Sequence, residues 1–480
     1  RLYRGEVPSD GSPILSLTGG RTSSLELPEP LFSSSLLRLS DLVLRQRVEE
    51  VDWSRASRES VRLDPVMLLA RSAYENGSVP HAVAAVEGLD VFLAELRIGQ
   101  GSAWTHPVDV AWRLIRFSLF EAYLGEEIDP GIRRLLAGAV FQHACWLRRE
   151  LATVNSSVSS GVLVQASALV VAGRRWPKLE GASQWWSEGL ALLSRESGKL
   201  VLEDGSPAMG LSGFVASFEA MMCAWWHARS THLSFPSGLE AVLKRVVEFL
   251  RAFEGGGRDL EDCGMTCVLG AGSGGRLQRM LRVSQWAEGS ESSCEDKDWE
   301  VSVYRVGGWV LAHRSTSLGL LTLRWSLRDS VGGGVPAPEV VVDGVPLFAW
   351  GGLTRVREGI DSFELQSVRV EGGVLTVRGE FWVGRQKWVR SLMFQGMRLF
   401  VEDWLEGRQG VNVGWSWGFS SGWRCLDDRL LKRATQSVRL GLSGPLDWTL
   451  HASSSPSFVA ESWLSPTDRQ QCSFELLNNG

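Results

Sequence analysis

The stretch from Asp204 to Glu219, DGSPAMGLSGFVASFE, lies between two strongly apolar runs and reads as a shaped turn feeding a helix. Asp204, Gly205, Ser206 and Pro207 supply turn chemistry, and the apolar residues after them recur at helical spacing. The positions that would face a cleft are Met209, Phe214 and Val215, none of which carries a group able to move a proton. The stretch is therefore either packing or a site emptied of its chemistry.

Upstream the helical period continues. The run SLLRLSDLVLRQRVEEVDW, from Ser35, places apolar residues three and four apart, and the same pattern recurs around 78–97, 107–124, 131–152, 159–173, 181–197, 211–230 and 237–254. These segments predict consecutive amphipathic helices joined by short Gly, Pro and Ser turns. Between 255 and 298 the chain turns Gly-, Ser- and acid-rich around one short helix, RLQRMLRVSQW, as suits a linker. From Trp299 the period changes to two: WEVSVYRVGGWVLAHRS, GLLTLRWSL, PEVVVDGVPLFAW and FELQSVRVEGGVLTVRGEFWV alternate, are rich in Val, Leu and Trp, and are broken by glycine turns such as VEGGV. The expected organisation is an N-terminal arm over 1–34, a helical domain over 35–254, a linker over 255–298 and a β-sandwich over 299–480.

The 480 residues exceed what one small core organises, and the apolar share of 44% with a charged share of 22% is that of a globular chain. No stretch reaches the roughly 18 apolar residues of a membrane span. The longest candidate, GVLVQASALVVAG over 161–173, reads as a buried helix. A net charge of −5, with scattered arginines, gives no footprint for nucleic acid. Seven cysteines do not make a disulfide framework, and the Cys263/Cys267 pair lacks the companions of a zinc site, so neither metal nor cofactor is expected. The chain opens at Arg1 without a methionine, which leaves room for a signal removed earlier.

Local motifs are sparse. GAGSGG, Gly270–Gly275, formally contains the dinucleotide glycine pattern but has no alternating strands and helices around it, and reads as linker. The seven histidines, His81, His106, His143, His227, His232, His313 and His451, are single and scattered. There are 22 tryptophans but 4 tyrosines; core packing is the ordinary role of Trp, and a stacking platform for sugar rings is the exception. One helix start has more character: WTHPVDVAWRLIRFSLF gathers Trp104 and His106 before Pro107, then sets Asp109 and Arg113 four apart. That pair is either an exposed helical ion pair or part of a pocket for an acidic sugar.

The order of segments resembles the heparinase II/III-like polysaccharide lyases. The resemblance runs through HPVDVAWRLIRF, then SSGVLVQASALVVAGRRWPKLEGASQWWSEGLALL, then DGSPAMGLSGFVASFEAM, and in the second half KWVRSLMFQGMRLFVEDWLEG and VGWSWGF. It implies an incomplete α/α toroid followed by an antiparallel β-sandwich. It also implies β-elimination on an acidic polysaccharide, which needs carboxylate neutralisation, a base and an acid for the leaving oxygen, typically from Tyr and His with Asn or Glu support. The matched positions do not supply them. The family's Asn-His pair falls on Ser160 and Gly161, and its following Glu on Gln165. In the stretch that opens this section Asp204, Gly205 and Gly213 are kept, while Glu becomes Met209, Ser becomes Leu211, Tyr becomes Phe214 and His becomes Val215. The Gly-His-x-His-x-Asp run of the first sandwich strands, often tied to a metal, is replaced by LRWSLRDSVGGGVPAPEVVVDGVPLF, whose acids Asp329 and Asp343 suit turns.

The expectation is a catalytically degenerate relative that binds an acidic polysaccharide or serves its assembly, with Trp104, His106, Asp109, Arg113, Ser160, Gln165, Met209, Phe214 and His313 as candidate substrate-binding residues. Two alternatives stand beside it. One is a working lyase with relocated groups, for which His106, Arg113 and His313 are the candidates; the other is a scaffold whose toroid binds another protein. Beside the polysaccharide, a polysaccharide-assembly protein is an expected partner. The resemblance implies an envelope or periplasmic setting over a cytoplasmic one.

Overall fold

A computed structural model describes residues 63–95, 102–125, 128–153, 160–208, 211–231 and 233–254 of the helical half. Of the second half it describes 299–316, 319–327, 334–336, 338–342, 345–346, 353–356, 362–383, 386–406, 411–418, 424–425, 430–433, 436–443, 449–451, 457–464 and 469–478. The expected arm and linker, the Cys263/Cys267 pair, the Gly270–Gly275 run, Met209, Asp329 and Asp343 lie outside the described residues.

The helices are α1 (Asp64–Asn76), α2 (Val79–Glu95), α3 (Pro107–Leu124), α4 (Pro130–Thr153), α5 (Ser160–Arg175), α6 (Ala182–Leu200), α7 (Leu211–Ser230) and α8 (Ser237–Glu254), with a short 3-10 turn at Ser102–Trp104. Helix α1 is absent from the sequence expectation. Its boundaries are set by Pro65 in its first turn and by Gly77, whose φ of 61° lets its N–H return to the carbonyl of Ala73.

Helices α3, α5 and α7 are buried nearly all round along most of their length, whereas α4, α6 and α8 bury one face. The tight packing of α5 on α6 depends on two glycines. A Cβ at Gly173 would collide with the Ala182 carbonyl oxygen, and one at Gly189 would come within 2.8 Å of that of Ala166. Polar ties run through the same layer. Ser118 on α3 donates to the Ile115 carbonyl and accepts from Nε2 of His227 on α7 at 3.1 Å. Glu121 on α3 pairs with Arg175 on α5 at 3.3 Å, both buried.

The described strands form three antiparallel sheets. The first holds β1 (Glu300–Tyr304), β2 (Trp309–Thr316), β3 (Gly319–Ser326), β5 (Glu339–Val342) and β6 (Val345–Pro346), in that order. The largest runs β13 (Arg424–Cys425), β14 (Leu430–Arg433), β15 (Gln436–Ser443), β18 (Arg469–Asn478), β11 (Arg398–Glu406), β10 (Gln386–Gln395), β9 (Val374–Val383), β8 (Ser362–Glu371). The third runs β16 (Thr449–His451), β17 (Ser457–Leu464), β12 (Val411–Gly418), β7 (Leu353–Val356), β4 (Gly334–Pro336).

Strand β11 alternates buried with half-buried positions, as one face packs on the core. The VEGGV turn joins β8 to β9 with Gly372 at φ 57° and Gly373 at 74°, the doubly left-handed geometry that suits a tight hairpin. Val310, Leu323 and Trp325 of the first sheet share one core with Leu375, Trp388, Leu392 and Val401 of the largest. That core contains an ion pair: Arg390 on β10 faces Asp403 on β11 and donates through Nε and Nη2 at 2.7 and 2.6 Å.

The chain divides into two compact units. One holds the described helical residues through Val201 and Pro207–Val247. The other holds Leu202–Ser206, the end of α8 from Glu248, and the strands. Among the described residues no helix is long and apolar enough to cross a membrane.

Candidate functional site

Within the helical unit the start of α3 and the turn before it gather four of the sequence candidates. His106 precedes Pro107, and its backbone carbonyl, not its ring, accepts the N–H groups of Asp109 and Val110. The ring itself is exposed. Asp109 and Arg113 are buried, so they are not the exposed helical pair that their spacing allows. Arg113 donates from Nε to His143 Nε2 at 3.0 Å and from Nη2 to the Ala103 carbonyl at 2.6 Å. Its guanidinium also lies over the Trp104 ring, 5.4 Å from the centroid.

His143, on α4, completes this cluster, and nothing local in the sequence sets it apart. Its Nδ1 lies 2.7 Å from the Ala139 carbonyl, which can only accept; the proton therefore sits on Nδ1, and Nε2 is free to accept from Arg113. The ring packs against Trp104 at 4.6 Å and edge-on against Phe117 at 5.2 Å. Burial, reinforced by the Arg113 charge, holds His143 well below the usual imidazole range. Burial likewise pushes Arg113 down to about 9, with Asp109 opposing. The arrangement knits α3 to α4 around a buried cation.

Gln165 is buried on α5; its amide nitrogen donates to the Gly161 carbonyl one turn back, and its Oε1 has no hydrogen-bond partner among the described residues. Ser160 opens the same helix. In α7, Phe214 and Val215 are 2% and 5% exposed. The two positions that the sequence resemblance assigns to a Tyr-His pair are thus buried apolar side chains at the helix start.

His313 lies in the other unit, on β2. The Ala252 carbonyl accepts from its Nε2, so its Nδ1 accepts from the Thr322 hydroxyl at 3.1 Å. Burial pushes it down to about 4, against the Ala252 bond and with a smaller effect of Arg324 in the same direction. Tyr304 donates to the Glu248 carbonyl at 3.4 Å, and burial, then the Glu248 and Asp204 charges, push it up to about 12. Neither group is poised to exchange a proton near neutral pH.

Asp204 is engaged structurally. Its Oδ1 accepts from the backbone N–H and hydroxyl of Ser206, and its Oδ2 accepts from the backbone N–H groups of Val306 and Gly307 at 3.0 and 3.3 Å. Gly205, at φ 82°, closes the loop by donating to the Leu202 carbonyl. A Cβ on Gly307 would collide with Ser206 Oγ. The Asp-Gly dipeptide therefore has a full backbone explanation. Among the described residues no group of His, Cys, Asp or Glu could hold a metal ion.

No family profile matches the chain, and no curated protein sequence matches it. Solved structures do. Heparinase III superposes with a TM-score of 0.65 at 14% identity, covering 98% of this chain and 87% of that one. The heparan sulfate lyase HepC from Pedobacter heparinus gives 0.54 at 12% identity, covering 95% and 85%. At such identities the likeness is one of fold, and it spans nearly the whole chain. Helices followed by antiparallel sheets, in this order, give this protein the fold of the heparinase III polysaccharide lyases.

Proposed function

We propose that this protein is a diverged heparinase II/III-like protein, an incomplete α/α toroid followed by a β-sandwich, that binds an acidic, uronate-containing polysaccharide without cleaving it. Its role in this reading is to hold or help assemble the polymer. The observation that carries it is the burial of apolar Phe214 and Val215 in the first turns of α7, at positions that the sequence resemblance assigns to a proton-transferring Tyr-His pair. β-Elimination requires a base that takes the proton next to the carboxylate and an acid that protonates the leaving oxygen. Phe214 and Val215 have no atom that can do either.

Two further candidates support the absence of cleavage, though not a role of their own in binding. Arg113 spends donors on His143 and Ala103, and both nitrogens of His313 are engaged in buried hydrogen bonds. The exposed ring of His106 favours one alternative, a lyase with a relocated base. Affinity electrophoresis through gels containing heparan sulfate, another uronate polymer or a neutral glucan tests binding. Retardation by the acidic polymers alone is expected; no retardation by any of them, or equal retardation by the neutral glucan, overturns it. A His106→Ala variant that loses a measured turnover while keeping its fold would establish the alternative.

A further inference from the structure

Apart from these residues, the helical unit carries a cleft of about 720 Å³ lined by α4, α5 and α6. Its lining is split by chemistry. Leu151, Ala152, Leu169, Ala191 and Leu192 give an aliphatic surface, with the half-buried thiol of Cys145 beside it. Arg148, Arg149 and Arg195 supply the charge, against the single carboxylate of Glu188. That carboxylate is already used: Arg148 grips it through two bonds of 2.7 and 3.0 Å, and Gln184 donates to it at 3.0 Å. Arg195 rests on Glu196 at 2.7 Å, at the exposed edge of α6. Arg149 is exposed at the rim.

We propose that this cleft is a binding site for a single-chain anionic amphiphile, with its carboxylate or phosphate head at Arg149 and Arg195 and its alkyl chain along Leu151, Leu169 and Leu192. The volume falls within the roughly 300–1,000 Å³ of small-molecule sites, which are mostly apolar with a few placed polar groups. An oligosaccharide fits less well. No aromatic residue among the cleft's lining side chains offers a stacking face, and the aliphatic surface would leave sugar hydroxyls without partners. An alkyl chain suffers no such loss and gains about 0.8 kcal/mol for each methylene fully removed from water. The guanidinium groups would hold the anionic head through charge-assisted hydrogen bonds. The site is separate from the residues of the proposed polysaccharide function, so either can fail alone.

Calorimetric titration of the full chain with dodecyl phosphate, below its micellar concentration, tests the proposal. Dodecyl phosphate should bind, while inorganic phosphate and the uncharged dodecyl maltoside should bind at least about tenfold more weakly, the equivalent of one charge-assisted contact or a few methylenes. The Arg149→Glu/Arg195→Glu variant, shown to be folded by circular dichroism, should lose affinity by a similar factor or more. Bound amphiphile should also slow alkylation of Cys145, followed by peptide mapping, because that thiol lines the cleft. Equal binding of inorganic phosphate, unchanged affinity in the double variant, or unprotected Cys145 at saturation would each overturn the assignment. So would displacement of the amphiphile by heparan sulfate oligosaccharide alone, which would make the cleft a glycan site.

Discussion

His313 offers a quantitative test of whether a buried histidine here is structural or poised for chemistry. Its pKa is pushed down to about 4 by burial, whereas an unfolded histidine titrates near 6.5. The folded form therefore binds fewer protons than the unfolded one between these values, and the stabilisation present above pH 6.5 is lost as the pH falls. Between pH 7.5 and pH 5.0 the difference amounts to about 2 kcal/mol from this one group, since a tenfold difference in proton affinity between the two states is worth about 1.4 kcal/mol. A His313→Gln variant keeps an amide donor for the Ala252 carbonyl and removes the titration. Its stability should fall by about 2 kcal/mol less than the wild type over that range, as measured by urea unfolding followed through tryptophan fluorescence at both pH values. Histidine-selective NMR gives the direct reading: the signal missing from the variant should be flat in the wild type from pH 8 to pH 5. Titration of that signal near pH 6.5, or the same acid loss in variant and wild type, would refute the reasoning and return His313 to the candidates for a general base.

Other consequences follow from the packing. Arg390→Met strands the buried Asp403 carboxylate and should cost about 3–5 kcal/mol, while Arg390→Met with Asp403→Leu should recover most of it; denaturant unfolding of both variants measures the difference. Burial also pushes His227 down to about 3, so wild-type stability should decline below pH 6.5 more steeply than one histidine accounts for, as calorimetric melts across pH would show. Gly205→Ala places a Cβ at φ 82° and should destabilise by about 1–2 kcal/mol; an unchanged melting temperature would count against the backbone role assigned to the Asp204–Ser206 loop. Gly189→Val drives a side chain into the Ala166 carbonyl and Val170 and should cost about 1–3 kcal/mol by the same melt.

The helices and sheets are legible in the sequence because their periods differ, and most expected helical segments match observed helices to within a few residues. Helix α1 escapes the periodicity although Pro65 and Gly77 bracket it. The candidate site is less legible. Arg113 and His143 stand thirty residues apart on different helices, and Asp204 meets Val306 across about a hundred, so no local spacing reveals either pair. Trp104 and Arg113, gathered at one helix start in the sequence, do meet, but in a buried structural cluster. Phe214, Val215 and Gln165 stand out only through the resemblance to a family pattern, and the structure adds that all three are buried.

The central proposal is binding of an acidic glycan without elimination chemistry. Elimination leaves a double bond conjugated to the uronate carboxylate, so incubation of the purified chain with heparan sulfate, chondroitin sulfate and other uronate polymers, followed by ultraviolet absorbance and product chromatography, reads it directly. The account predicts no rise in absorbance and no shortened oligosaccharide, alongside retention of the polymer by the protein. A sustained rise with an unsaturated product, proportional to protein concentration, would contradict it.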